Sequence, residues 1–297
     1  VKVSRRMHPN YRDLEASVSP LPLGLARGLL RYLANFPYGC TEQLISQAFP
    51  ALVLRGRPEF GYSPEKTAQA LVSALRVLRS RQNAEGAFGF WAANSHVSDL
   101  QTVYALHFLT EAKEKGYPVP AELLNRGLSY LGGLVGTEPD TLSDARARAY
   151  AAYVLTRNGS VLSAPIASLR RKMEEKFAKT WRKDLAGVYL AAVYKMLKQS
   201  GPADKLISES RLGDPQEEDY DYYYDGLVRD SQLLYILVRH FPERRAAVTP
   251  QELERLTAPV LSGGFNSLSG AYTVLALAAY ADAVAAPAAA AAKVVEI

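Results

Sequence analysis

The stretch Pro37-Tyr38-Gly39-Cys40-Thr41-Glu42-Gln43 separates two predicted helices and contains the only cysteine of the chain. Before it, apolar residues recur at helical spacing from about Leu23 to Phe36, and Pro37 ends that pattern because proline cannot continue a helix. A second helical pattern begins directly after the stretch. Cys40 is therefore predicted at a helix N-terminus, where free backbone amides and the helix dipole favour a thiolate and lower the thiol pKa.

The spacing of Cys40 and Gln43 predicts that the two side chains lie on one face of the first helical turn. A thiol held against a carboxamide can attack the amide carbon, expel ammonia and leave an internal thioester, because fixed proximity removes most of the entropic cost. The thioester is a stored electrophile that a lysine amine, a hydroxyl or water can open. The alternative is that Cys40 is a small buried hydrophobic residue, which is the commonest fate of a lone cysteine.

The run from Gly39 to Gln43 resembles the Gly-Cys-x-Glu-Gln thioester motif of the alpha-2-macroglobulin and complement thioester proteins. With Pro37 and Tyr38 in front, it is most similar to the bacterial alpha-2-macroglobulins. The resemblance implies that Cys40 and Gln43 form the thioester cross-link, with support from Gly39, Glu42 and Tyr38. Glu42 would orient or polarise the reacting amide, unless it is only a carboxylate favoured by the helix dipole. Tyr38 would cover the thioester carbonyl, unless it is only a packing ring at the helix junction.

The same resemblance implies a function in protease trapping. In that family a protease cleaves a bait segment, a conformational change uncovers the thioester, and a surface lysine of the protease attacks it. The implied partners are target proteases and the neighbouring macroglobulin-type β-domains of the parent chain. The transfer happens once without turnover, so no enzyme and no cofactor are expected. The implied setting is extracytoplasmic, the periplasm for a bacterial member, with an inner-membrane anchor of the parent as one option.

The composition is that of a globular chain with no evident nucleic-acid or metal site. The 297 residues are 48% hydrophobic with a net charge of +5, and the basic residues form short groups typical of solvated helix faces. No pair of the four histidines has metal-ligand spacing, which argues against metal binding. No apolar stretch is expected to span a bilayer. Both ends are interpreted as cuts: 1–20 as a lead-in from a β-domain, 21–286 as the thioester domain and 287–297 as a linker.

The periodicity predicts about twelve helices and hardly a strand, which is an all-α chain. Tyrosine-bearing, small-residue helices recur around Tyr104, Tyr150, Tyr189, Tyr235 and Tyr272. A recurring helix pair stacks on its neighbours to bury a shared core, so six pairs can close into a ring with these helices inside. The family resemblance implies the same architecture, an α/α toroid like that of the terpenoid cyclases and protein prenyltransferases.

Two other functions stay open on the sequence alone. The acidic, tyrosine-rich loop 217–225 fits a sugar-binding cleft, which would make the chain an α/α-toroid carbohydrate enzyme with Asp219, Asp221 or Asp225 as acid and base. The same loop also fits a lid over the thioester, an interdomain contact or a solvated loop. The third option is a plain helical interaction module.

Two histidines and one loop bear on the thioester chemistry. His107 is predicted to be a satisfied core residue, whereas His96 lies in a loop that can approach the site. In hydroxyl-selective complement relatives, a histidine well beyond the thioester cysteine first takes the acyl group. The corresponding segment here is the loop 136–143, which contains no histidine. Amines are therefore expected to be preferred over hydroxyls.

Overall fold

The computed structural model describes residues 22–214, 218–219 and 223–288. Within these residues the regular structure is helical, apart from isolated β-bridges. A short 3₁₀ turn at Pro22–Leu25 leads into the first of thirteen helices. They are α1 (Ala26–Ala34), α2 (Thr41–Val53), α3 (Pro64–Arg81), α4 (Asp99–Glu114), α5 (Ala121–Gly136), α6 (Leu142–Arg157), α7 (Ser163–Phe177), α8 (Leu185–Met196), α9 (Ser200–Ser208), α10 (Gly226–His240), α11 (Pro242–Arg245), α12 (Pro250–Ser262) and α13 (Ser267–Ala288).

Six of these helices form a closed inner ring. Helix α2 packs against α4, α4 against α6, α6 against α8, α8 against α10 and α10 against α13, and α13 returns to α2. Helices α1, α3, α5, α7, α9 and α12 pack against the outside of that ring. The predicted α/α toroid of six helix pairs is confirmed. The one-turn helix α11 between α10 and α12 was not predicted, and its four residues are too few to show a helical period.

The inner and outer helices differ in the way that the sequence patterns indicate. The outer helix α3 buries one stripe, which contains Leu71, Ala74 and Leu78, and leaves polar residues in water. The inner helix α8 is buried from Leu185 to Tyr194. A helix that is covered on every side has no polar face to maintain, so its sequence is apolar all round.

The same reasoning corrects the expectation about membrane spans. By length and composition, Ser267–Val284 in α13 is apolar enough to cross a membrane, contrary to the prediction that no stretch is. However, 72% of that segment is buried inside the domain. Its apolar character is explained by its place in the inner ring.

Buried tyrosines fill the interior of the ring, as their recurrence predicted. The rings of Tyr150 and Tyr189 stack with their centroids 4.5 Å apart. The Tyr272 hydroxyl donates to the Tyr150 hydroxyl at 3.1 Å, and the Tyr189 hydroxyl donates to Gln232 at 3.2 Å. A buried tyrosine contributes a large apolar body but needs a partner for its hydroxyl, so these bonds fix how the helices face one another.

Residues 1–21 and 289–297 lie outside the described residues. They contain the predicted lead-in and most of the predicted linker. The boundaries proposed for the two flanking segments therefore stay predictions.

His107 lies at the centre of the buried polar network and is fully buried, as expected. Its Nδ1 lies 2.5 Å from the Tyr150 hydroxyl and its Nε2 lies 3.6 Å from Glu111. The Glu111 carboxylate also pairs with Arg157 at 2.6 Å and with Arg239 at 3.1 Å. Burial lowers the pKa of His107 from 6.5 to about 4.

This depressed pKa predicts acid sensitivity of the fold. Below pH 6.5 the unfolded chain binds a proton at His107 that the native chain resists until about pH 4. Stability is therefore lost as the pH falls through that window. Between pH 7 and pH 5 the free energy of unfolding should fall by about 2 kcal/mol on account of His107.

Urea unfolding of the wild type and of His107→Gln at both pH values measures this contribution. The variant should show a smaller fall, with the remainder due in part to His240, whose pKa burial lowers to about 3. An equal fall in both proteins would contradict the assignment to His107.

Candidate functional site

Cys40 is the N-cap residue of α2, and its backbone is extended there. Its sulfur accepts the backbone amide of Gln43, and the Gln43 Oε1 accepts the Cys40 backbone N–H at 2.9 Å. This is a capping box in which a thiol takes the place of the usual hydroxyl. The Gln43 carboxamide folds back over the helix N-terminus. Its oxygen is held by the Cys40 backbone N–H, so the carboxamide carbon lies close to Cys40. That proximity is what thioester formation needs.

Burial changes the expected acidity of Cys40. The residue is only 5% exposed. Burial raises the pKa of the thiol, and hydrogen bonds from the Gln43 and Glu42 amides oppose this only in part. The expectation of a lowered pKa was wrong because loss of water outweighs the helix N-terminus. A less acidic thiol is a poorer leaving group, which would slow the spontaneous loss of an acyl group from its sulfur.

Arg81 at the end of α3 holds the loop that carries the motif. Its guanidinium donates to the Gly39 carbonyl at 2.9 Å and to the Thr41 Oγ1 and the Phe90 carbonyl at 3.1 Å each. The Thr41 hydroxyl in turn donates to the Gly89 carbonyl at 2.6 Å. One arginine therefore joins the residues on both sides of Cys40 to the loop that follows α3.

That loop requires glycine where it approaches the motif. A Cβ atom on Gly89 would lie 1.9 Å from the Ala92 carbonyl oxygen, which is closer than any real contact. Next to it, the Phe90 ring lies 4.9 Å from the ring of His96, which is exposed. His96 is therefore brought near the site through Phe90.

The Glu42 side chain is buried in the domain. Its carboxylate is 2% exposed and accepts the hydroxyls of Ser46 at 2.6 Å and Ser267 at 2.9 Å. Burial raises its pKa, while the two hydroxyls act in the opposite direction. In the described residues, no hydrogen bond joins the Glu42 carboxylate to the Gln43 amide. The predicted role of Glu42 in orienting that amide therefore stays a prediction.

The other supporting residue, Tyr38, lies outside the domain core. It is 64% exposed, and its ring centroid lies 5.9 Å from that of Phe36. This position fits the alternative interpretation of Tyr38, a packing ring at the helix junction. Its covering of a thioester carbonyl stays a prediction.

The loop 217–225 contributes to this site in part. Tyr223 has a left-handed backbone with φ of 54° and lines a cavity together with Glu42. Cys40 and Glu42 both act electrostatically on the Tyr223 hydroxyl, whose pKa is raised first by burial. Tyr223 is therefore placed as a lid residue would be.

The carboxylates proposed for a carbohydrate enzyme have structural partners. Asp225 is the N-cap of α10 and accepts the Val228 amide at 2.7 Å. Asp219 accepts the Ser143 hydroxyl. Asp221 lies outside the described residues. The described part of the loop thus gives no support to an acid–base pair.

Sequence reasoning missed Arg81, Ser46 and Ser267. Ser46 follows Glu42 by four residues on one helix, so its contact was within reach of the helical pattern. Arg81 and Ser267 come from distant segments, and no local pattern links them to the motif. Within the described residues, no three His, Cys, Asp or Glu side chains form a metal-binding group.

The inner ring and the buried capping pair define a class of protein: an α/α toroid with a Cys-x-x-Gln pair at the N-terminus of an inner helix. No family model matches the sequence. The alpha-2-macroglobulin of Rickettsia conorii is 36% identical over 287 residues, which are 95% of this chain and 15% of that protein. The homologue of Yersinia pestis is 35% identical over 288 residues, 95% of this chain and 14% of that protein.

Solved structures agree on the fold. Salmonella alpha-2-macroglobulin reacted with methylamine superimposes with a TM-score of 0.70 at 23% identity, over 87% of this chain and 17% of that one. The Escherichia coli protein, from domain MG7 to the C-terminus, gives a TM-score of 0.70 at 21% identity, over 87% of this chain and 42% of that one. The chain belongs to the bacterial alpha-2-macroglobulin family. It spans only a small part of the length of these larger, multi-domain relatives.

The contacts of Arg81 predict a strong effect of its removal. Arg81→Ala removes two charge-assisted hydrogen bonds to the motif and one to Phe90, and should lower the free energy of unfolding by about 2 kcal/mol. Arg79→Ala is a matched control, because Arg79 is exposed on the same helix two residues earlier. Urea unfolding of both variants measures the difference. Equal stability of the two variants would show that Arg81 does not hold the loop.

Proposed function

We propose that this chain is the thioester domain of a protease-trapping alpha-2-macroglobulin-like inhibitor, in which Cys40 is the thiol and Gln43 the acyl donor. The observation that carries the proposal is the reciprocal hydrogen bonding of Cys40 and Gln43 at the start of α2. Family membership supports it. The names of two solved relatives add that the Salmonella protein was reacted with methylamine and that the E. coli protein was activated by trypsin.

The chemistry has two steps, and each balances. In the first, the Cys40 sulfur bonds to the Gln43 amide carbon, the C–N bond breaks, and the nitrogen leaves as ammonia with the thiol proton. In the second, a lysine amine bonds to the same carbon, the C–S bond breaks, and the Cys40 thiolate takes a proton. The product is an amide between Gln43 and the attacking protein. Nothing regenerates the thioester, so the domain is a single-use acyl donor and not an enzyme.

The parent protein supplies what this chain lacks for trapping. Neighbouring macroglobulin-type β-domains would carry the bait and cover the thioester until a protease cuts. The target proteases would be joined covalently through lysine. We place the protein outside the cytoplasm, in the periplasm of a bacterium, where it would act in defence against foreign proteases.

Intact mass is the direct test. A chain with a closed thioester is lighter than its sequence by one ammonia, and methylamine should remove that deficit by forming an amide at Gln43. Cys40→Ala should have the full mass under every condition. A wild-type, full-length protein that never shows the deficit would refute the proposed function.

The isolated domain should hold its thioester less well than the full-length protein. The sulfur is buried, but Gln43 is only half-buried, and Gly39 and Thr41 are too small to cover its acyl carbon. We expect the closed mass to be lost within days in the isolated domain and to persist in the full-length protein. Equal persistence would show that the domain shields the bond alone.

Amines should be preferred to alcohols as attacking groups. The loop between α5 and α6 has no histidine to relay the acyl group, so the thioester should react directly with the better nucleophile. Labelled methylamine and labelled glycerol, offered together to the activated full-length protein, measure the preference. The control is His96→Ala, because His96 lies beside Phe90. Dominant ester formation that disappears in His96→Ala would overturn the prediction and assign the relay to His96.

A further inference from the structure

A cavity of about 410 Å³ reaches the motif at Glu42, the residue that precedes Gln43. Glu42 forms part of its wall, and so do Phe90, whose carbonyl accepts the Thr41 amide, and Tyr223. Apolar side chains such as Leu100 and Leu268 line another part. The volume lies within the range of roughly 300–1,000 Å³ that is usual for small-ligand sites.

Among the described residues, the Glu42 carboxylate has no cationic partner. Its hydrogen bonds come from the neutral hydroxyls of Ser46 and Ser267, and no lysine or arginine of the described residues forms an ion pair with it. A buried carboxylate without a counter-charge is costly. Its environment therefore favours a positive charge in the cavity.

Gln101 gives an independent indication of a ligand. The residue is 3% exposed and lines the same cavity, and its Oε1 has no hydrogen-bond partner in the described part of the chain. Buried carbonyl oxygens are almost always paired, so this acceptor lacks a donor. A ligand that carries N–H groups would supply one.

Asp99, which is half-buried, adds a second acceptor to the cavity wall. One of its oxygens accepts the Tyr130 hydroxyl at 2.6 Å, and no described lysine or arginine pairs with it. The third carboxylate of the cavity wall, Asp144, already pairs with Arg148 at 3.6 Å. These carboxylates do not group closely enough to hold a metal ion. The cavity instead combines apolar walls with separate acceptors, which suits an alkyl chain that ends in a primary ammonium group.

We propose that this cavity is the receiving site for the attacking lysine, in which Asp99 and Gln101 bind the ammonium group and Glu42 takes its proton as general base. The inference rests on the proposed function, because it concerns the nucleophile of the same thioester. It makes Glu42 a catalytic residue of the transfer and makes Asp99 and Gln101 selective for a primary ammonium group, while the apolar wall favours an unbranched alkyl chain.

The proton balance of this step is simple. The ammonium group gives one proton to the Glu42 carboxylate and becomes a nucleophilic amine. The nitrogen then bonds to the acyl carbon of Gln43, the C–S bond breaks, and the second proton of the nitrogen passes to the Cys40 thiolate. Glu42 returns its proton to water afterwards. The raised pKa of Glu42 makes it a better proton acceptor than an exposed glutamate.

The test uses the full-length protein with its thioester closed, as shown by the mass deficit. The rate of thiol release is measured against the concentration of n-butylamine, which reproduces the lysine side chain, and of methylamine, which carries the same ammonium group but lacks the alkyl chain that would contact the apolar wall. We expect saturation with n-butylamine, a linear dependence with methylamine, and at least a tenfold advantage of n-butylamine at low concentration.

Variants separate binding from proton transfer. Gln101→Leu and Asp99→Asn should raise the half-saturating concentration of n-butylamine at least fivefold and should also lower the methylamine rate, because both amines carry the ammonium group that these residues bind. Glu42→Gln should lower the maximal rate at least tenfold. The control is Glu122→Gln, an exposed carboxylate on α5 that should change nothing.

The outcomes distinguish this inference from the proposed function. A wild-type protein without the mass deficit refutes both. A closed thioester that reacts equally with the two amines, and that Gln101→Leu and Asp99→Asn do not affect, refutes the receiving site alone. If Glu42→Gln does not close its thioester, the two binding variants decide the question, because neither residue touches Cys40 or Gln43.

Discussion

The closure of the ring between α2 and α13 is the contact on which the rest of the structure depends. These helices are the first and the last of the inner ring, and their packing joins the two ends of the described domain. The hydrogen bond from the Ser267 hydroxyl to the Glu42 carboxylate lies in this interface and links residues 225 positions apart. Long-range closure of this kind is entropically costly, and a hydrophobic interface between two inner helices offsets that cost. The start of α2, where Cys40 lies, is therefore fixed only when the ring is complete.

The local part of the site could be predicted from the sequence, and the long-range part could not. The Pro37 and Gly39 positions and the three-residue spacing from Cys40 to Gln43 place a thiol and a carboxamide together, because one helical turn has a fixed geometry. The ring itself followed from apolar helices with recurring tyrosines. Arg81 and Ser267 were missed because their contacts with the motif depend on how distant helices pack. The acidity of Cys40 was predicted in the wrong direction for the same reason, since burial is a property of the assembled ring.

Burial and the helix N-terminus act on Cys40 and Gln43 in opposite senses, and both effects would serve the proposed thioester. The amides at the start of α2 hold the Cys40 sulfur and the Gln43 oxygen in place, which favours closing the bond. Burial disfavours a free thiolate, which makes the sulfur slow to leave. An internal thioester needs both properties, because it must form readily and must then resist reaction until it is used. Under the proposed function, activation would therefore have to change access to the acyl carbon and not the acidity of the thiol.

The interior of the ring explains why access can change while the pair stays fixed. Glu42 is joined through Ser46 to the Tyr104 hydroxyl, which lies 3.0 Å from the Ser46 oxygen. The Tyr104 ring contacts Tyr272, and Tyr272 bonds to Tyr150 and so to the buried His107. Each hydroxyl in this series loses its partner if a helix shifts, which is costly in a buried place. Movement is therefore cheapest at the rim, around Tyr223 and in the exposed part of the loop after α3, from Trp91 to His96. Tyr223, Phe90 and Val97 line the cavity beside Glu42, so under the proposed function a change at the rim would open or close the approach of an amine without disturbing the helix that holds Cys40 and Gln43.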